Sequence, residues 1–338
     1  MLSYRENLAK IGIGAEAPVS YNAFYSKPQS LREAIRSMDA PASGDWHLHE
    51  PEIYRDEYWT DEVQGLAWDG SNWIFSANAN QSKPGHNAKA LYVFKGDSKF
   101  KDDQWYSRID YKNVPHPVYG TSAFDDHWGQ LCYWNGRVYV SHWWKGGPKH
   151  GVGNVVVFND ADGYLELEKW IELEKATSPT DCRQDNVEFQ AINPWDGLLY
   201  TCFRGGTIYE FFLHDIETGK CTGKTLKFDI PIEQVQGACF SPNGHLYIAS
   251  NSHPPGDGDH QTIWCYFALN GHRFDFISVL AEEEDQELEG ICYANVTFSD
   301  GKNAQIHAIL LENREPPSSL ALDNIFFKSF SSAKPDIV

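Results

Sequence analysis

The chain is short of positive charge, has little methionine, and contains no long apolar run. It sets 28 Lys and Arg against 47 Asp and Glu, for a formal net charge of −19. A field of that sign repels nucleic-acid phosphates and anionic membrane surfaces, so neither is an expected partner. It suits neutral or cationic ligands and divalent cations, and it also serves solubility alone. No stretch reaches the roughly 18 consecutive apolar residues needed to span a bilayer. The start, Met1-Leu2-Ser3-Tyr4-Arg5-Glu6-Asn7, lacks the apolar segment of a signal peptide. The 7 Cys are odd in number and include no CxxC pair, which speaks against a disulfide framework. The expectation is a soluble, cytoplasmic protein in a reducing compartment.

Aromatic residues are abundant, at 14% with 12 Trp, and 41% of the chain is hydrophobic. That is enough for a substantial core, and the aromatics favour strands over helices. One phrase recurs five times: Val63-Gln64-Gly65-Leu66-Ala67-Trp68, His127-Trp128-Gly129-Gln130-Leu131-Cys132, Glu188-Phe189-Gln190-Ala191-Ile192, Val235-Gln236-Gly237-Ala238-Cys239-Phe240 and Leu288-Glu289-Gly290-Ile291-Cys292-Tyr293. A turn and a second apolar run follow each copy, from Trp73-Ile74-Phe75 in the first to Ile306–Leu311 in the fifth. Such spacing marks a repeat architecture.

Calling the phrase strand A and its partner strand B, two further strand candidates follow in the first four units, with hairpin signals at Asp162-Gly163, Thr218-Gly219 and Asn270-Gly271. The fifth unit runs out after a third strand, Ile325-Phe326-Phe327. Asp45–His49, which alternates ahead of the first unit, is available as the missing fourth. Closing the ring in this way leaves only short, protected edges. The reading is an all-β fold: a five-bladed β-propeller with four-stranded blades over residues 44–338 and an N-terminal closing strand. Residues 1–43 form an extension with a short helix, marked by a Ser30/Glu33 capping box, Leu31, Ile35 and Met38 on one face, and Pro41 beyond. The arrangement resembles the five-bladed propellers of animal lectins, plant-type glutaminyl cyclases and several glycosidase clans.

In such a ring strand A lines the axis, so the starts of A and the ends of B converge on one mouth. The starts carry Gln64, His127, Glu188, Gln236 and Glu289. The ends carry Asn78, His142 with Trp143 and Trp144, Arg204, Asn251 with His253, and Glu312. Long Pro/Gly-rich loops follow on the same side, where binding and catalysis tend to lie. His127, His142, Glu188 and Glu289 are the candidate acid–base residues. Gln64, Asn78, Trp143, Arg204, Gln236, Asn251 and Glu312 are the candidate substrate contacts, with Arg204 suited to an anionic group and Trp143 to stacking. His142, His253 and Glu289 are the candidate ligands for a divalent metal (Ca, Zn or Mn). The Glu289-Gly290 pair is similar to the start of an inner strand in gluconolactonase-like propellers, which are six-bladed. That resemblance implies a metal at Glu289.

Blander roles stand beside these. The Gln and Glu side chains also suit hydrogen bonds between blades across the axis, and Trp143-Trp144 suits inter-blade packing. Asn159–Gly163 has the look of a calcium loop, but it sits where a hairpin turn belongs and is read as a turn. The acidic run Glu282–Glu287 is read as a solvated loop. The ligand-facing positions differ from blade to blade, which favours one composite site for a small polar molecule, of hydrolase or lyase type, over a lectin with repeated pockets. A protein-interaction scaffold is the alternative. The sequence does not specify an oligomeric state.

Overall fold

The computed structural model describes residues 46–48, 52–54, 59–78, 89–96, 100–101, 104–115, 126–144, 153–174, 187–203, 207–242, 244–252, 260–268, 270–280, 286–298, 301, 303–312 and 323–332. Two short strands come first, β1 (Trp46–Leu48) and β2 (Glu52–Tyr54). Blade I is β3 (Val63–Trp68), β4 (Asn72–Ala77), β5 (Ala90–Lys95) and β6 (Ser107–Asp110). Blade II is β7 (Asp126–Trp134), β8 (Arg137–Trp144), β9 (Gly153–Ala161) and β10 (Tyr164–Glu172). Blade III is β11 (Val187–Ile192), β12 (Leu199–Phe203), β13 (Thr207–His214) and β14 (Cys221–Glu233). Blade IV is β15 (Val235–Phe240), β16 (His245–Ser250), β17 (His260–Phe267) and β18 (His272–Leu280). Blade V is β19 (Gln286–Thr297), β20 (Asn303–Glu312) and β21 (Asn324–Ser332), with β1 and β2 both paired to β21.

All five sheets are antiparallel meanders. Their first strands contact one another in a cycle, β3 to β7, β7 to β11, β11 to β15, β15 to β19, and β19 back to β3. The chain is a five-bladed β-propeller. The ring closes as the alternation at Asp45–His49 predicts: Trp46 pairs with Ser332 and Leu48 with Phe330. The closing edge is longer than that reading, because β2 adds Glu52 opposite Phe327 and Tyr54 opposite Ile325. In the sequence Pro51 separates the two pieces, and proline has no N–H to give a ladder. The predicted helix around residues 30–38 lies outside the described residues. Gln286 and Glu287, read as the end of an acidic loop, belong to β19 instead. The Asp162-Gly163 hairpin turn is present, with φ of 57° and 85°, the left-handed pair of a tight two-residue hairpin.

The middle strands of each blade are covered on both faces by neighbouring blades, so β4, β16 and β20 read as near-continuous buried runs, while the outer β10 and β14 are largely exposed. Period 2 then decides which neighbour is met. In β4, Trp73, Phe75 and Ala77 pack toward blade V with Phe327 and Ile309, while Ile74 packs toward blade II with Trp128 and Val140. One apolar cluster fills each of the five interfaces. Full burial of each Val, Leu, Ile or Phe contributes about 1.5–3 kcal/mol. The seam where the ends of the chain meet is the most aromatic: Trp59 lies 4.9 Å from Phe75 and 5.1 Å from Phe94, and its indole N–H donates to the Phe100 carbonyl at 2.9 Å.

The glycine of the repeated phrase has a packing reason. A methyl group on Gly65 would lie 2.5 Å from the Gly129 carbonyl oxygen and 2.8 Å from the Leu131 nitrogen. Neighbouring inner strands pass too close for a side chain there.

Candidate functional site

Every inner strand breaks its ladder at the same point. The pairing register shifts between Val63 and Gly65, Trp128 and Leu131, Val187 and Phe189, Val235 and Gly237, and Leu288 and Ile291. The residues inside these bulges are Gln64, Gly129-Gln130, Glu188, Gln236 and Glu289-Gly290. A bulge bends its strand and re-aims a side chain, and bulges gather near functional sites. The recurring phrase is therefore a recurring bulge that carries a polar residue to the start of the inner strand. Gln64 and Gln236 are part-exposed, Glu289 is buried, and Glu188 holds its place on β11.

The predicted residues at the ends of B have varied surroundings. Asn78 links blade I to blade II: its side-chain oxygen accepts the Trp128 N–H at 2.9 Å, its NH2 donates to the Trp128 carbonyl at 2.6 Å, and the same nitrogen lies 3.3 Å from His127 Nε2. Asn251 does the same for blades IV and V, accepting the Leu288 N–H at 2.6 Å. Glu312 accepts from the Asn324 side chain at 2.7 Å. His142 is fully buried in the blade, stacked 6.2 Å from Tyr111 and meeting Trp170 edge-on at 4.9 Å. Trp143 lies on β8, opposite His127. Arg204 and His253 lie outside the described residues. Thus His127 and Asn78 are brought together at the mouth, and His142 is turned into the packing behind it. Among the described residues no three His, Cys, Asp or Glu side chains gather closely enough to hold a metal ion.

Gln130, within the second copy of the phrase and outside the expected site residues, reaches across the axis. It is fully buried. Its NH2 donates to the carbonyls of Leu131 at 2.9 Å and Ile291 at 2.5 Å, and its side-chain oxygen faces the Ile291 N–H at 3.3 Å. The Gln190 NH2 donates to the Gln130 backbone carbonyl at 3.2 Å, and the Ser76 hydroxyl donates to Gly129 at 2.7 Å. Gly237 of blade IV leaves room for the Gln130 oxygen, which would lie 3.1 Å from any side-chain carbon added there. The Gly129-Gln130 bulge thus bonds to blades I, III and V and lies beside Gly237 of blade IV. The available signal was length: the second copy holds one residue more between its aromatic or polar start and the following apolar pair.

Below this crossing, at the opposite mouth, the axis opens into a cavity of about 80 Å³. Its wall includes the residues that end four copies of the phrase, Trp68, Ile192, Phe240 and Tyr293, and Tyr133, which follows the second copy. Cys132, Cys239 and Cys292 stand in the same wall, and burial pushes their thiols well above the usual range, so they are neutral. The six described cysteines are all free. Among the described residues no helix is long and apolar enough to cross a membrane.

No protein family matches the chain, and none of the curated proteins does. Among solved structures it is similar to an exo-β-1,3-galactanase from Clostridium thermocellum (TM-score 0.49, 10% identity, covering 84% of this chain and 62% of that one). It is also similar to a GH43 β-1,3-galactosidase solved with galactodeoxynojirimycin (TM-score 0.48, 12% identity, 85% and 94% covered). A third is the subtype N11 neuraminidase-like protein of A/flat-faced bat/Peru/033/2010 (H18N11) (TM-score 0.46, 9% identity, 88% and 96% covered). At such identities these are likenesses of overall shape, and no activity or residue role passes from them to this chain.

Proposed function

We propose that this protein is a hydrolase-type enzyme for a small polar molecule, working at the mouth where the inner strands begin. The observation that carries the reading is the set of five aligned bulges. They lie at the same point of all five inner strands and hold unlike polar residues, which supports one composite site there. Glu188 and Glu289 supply the acid and the base, His127 beside Asn78 relays or holds a proton, and Gln64 and Gln236 orient the substrate through their amides. Arg204, Trp143 and His253 stay sequence-based candidates for substrate or metal contact in this reading. A cytoplasmic location goes with it, supported by the six free thiols.

The test is a screen of the purified protein against chromogenic glycosides, esters, lactones and phosphomonoesters, followed by Glu289→Gln and Glu188→Gln. The expected result is turnover of one class, with kcat/KM lowered about 100-fold or more by either substitution and an unchanged Tm. Turnover that survives both substitutions would remove the mouth as the site.

A second reading, a scaffold without catalysis, is favoured by a specific observation. Asn78, Asn251 and Glu312 are already engaged in hydrogen bonds that hold strands together. Retention of a partner by the Glu188→Gln, Glu289→Gln double variant, with no turnover in the parent, would select it.

A further inference from the structure

The axial cavity at the opposite mouth takes no part in the reading above. It holds about 80 Å³. A 150 Å³ apolar cavity accepts benzene, so by proportion about three or four heavy atoms fit here. Aromatic residues from four of the five blades line it: Trp68 of blade I, Tyr133 and Trp134 of blade II, Phe240 of blade IV and Tyr293 of blade V. Among the described residues the wall carries no charged side chain. The inner strands pair on one side only, so both backbone N–H and carbonyl groups lie on the edge that faces the axis.

Chemistry narrows the occupant. An anion would meet aromatic residues and the field of a chain of net charge −19. A bare metal ion finds no set of three ligating side chains among the described residues. An organic cation is attracted by aromatic rings without needing a carboxylate, and the overall field raises its local concentration. We propose that this cavity binds a methylated ammonium head group, with the rest of the ligand leaving through the partly open end. Cys132, Cys239 and Cys292 complete the wall as neutral, polarisable groups.

The experiment titrates the full chain at low ionic strength with choline and, in parallel, with 3,3-dimethyl-1-butanol, its uncharged isostere. Tryptophan fluorescence and calorimetry are the readouts. Saturable choline binding, about tenfold or more tighter than the isostere, is expected. Phe240→Leu and Tyr293→Leu should weaken it about fivefold, with circular dichroism and Tm as in the parent. If a variant fails to fold, the comparison of the two ligands on the parent still decides. Equal binding of both compounds, or no saturable binding up to about 50 mM choline, would overturn the proposal. A trimethyl-lysine peptide separates the sources of such a group: binding tighter than choline points to a protein side chain, and weaker binding to a free amine.

Discussion

The side chain of Asn78 in blade I acts as one more strand for Trp128 in blade II, accepting its N–H at 2.9 Å and donating to its carbonyl at 2.6 Å. An amide carries a donor and an acceptor spaced like those of a peptide unit, so it can satisfy both backbone groups of one residue. The groups it serves are buried, and loss of the side chain leaves them without these bonds.

Asn78→Ala should therefore lower stability by about 2 kcal/mol, the cost of two abandoned buried backbone groups. Urea denaturation with an unchanged m-value is the measurement. A loss below about 0.5 kcal/mol would mean that the bond does not clamp the blades.

Gln130→Glu tests the axial crossing. A carboxylate in that place would face the Leu131 and Ile291 carbonyls, where the amide now donates. It should destabilise the protein by about 2 kcal/mol or more at pH 7, and less at pH 4, where a protonated carboxyl donates again. A variant equally stable at both pH values would show that the axis admits water and charge freely.

Asp160 makes a pH prediction at the seam of blades I and II. Burial first, then the charge and hydrogen bond of Asp69, push its carboxyl up to about 7, against the opposing Gly163 N–H. A carboxyl held protonated by the fold adds stability in full below its unfolded value near 3.8, and loses it as pH rises through about 7. The seam should thus be weaker at pH 8 than at pH 5. Relative to the parent, Asp160→Asn should gain about 1–2 kcal/mol between pH 5 and pH 8, allowing for solvent screening of a part-exposed group. Parallel slopes for parent and variant between those pH values would exclude Asp160 as the group responsible.

The site was legible only in part. The register at the strand ends predicts that His127 and Asn78 share the mouth, and they do meet. His142 is expected there on the same grounds, yet it lies between Tyr111 and Trp170. One step along a strand exchanges the two faces of a sheet, so residues adjacent in sequence at a strand end meet opposite surroundings.

Blade number, strand order and the closing strand are local properties: alternation with period 2, turn residues, and the recurrence of one phrase. The sequence alone was sufficient for them. Its amino acids could not say that Gln130 would cross the axis to Ile291, 161 residues away, or that the cavity would open at the mouth away from the polar bulges. Those facts arise only when five separately legible sheets close into one ring, because closure, not pairing, decides which side chains face each other across the centre.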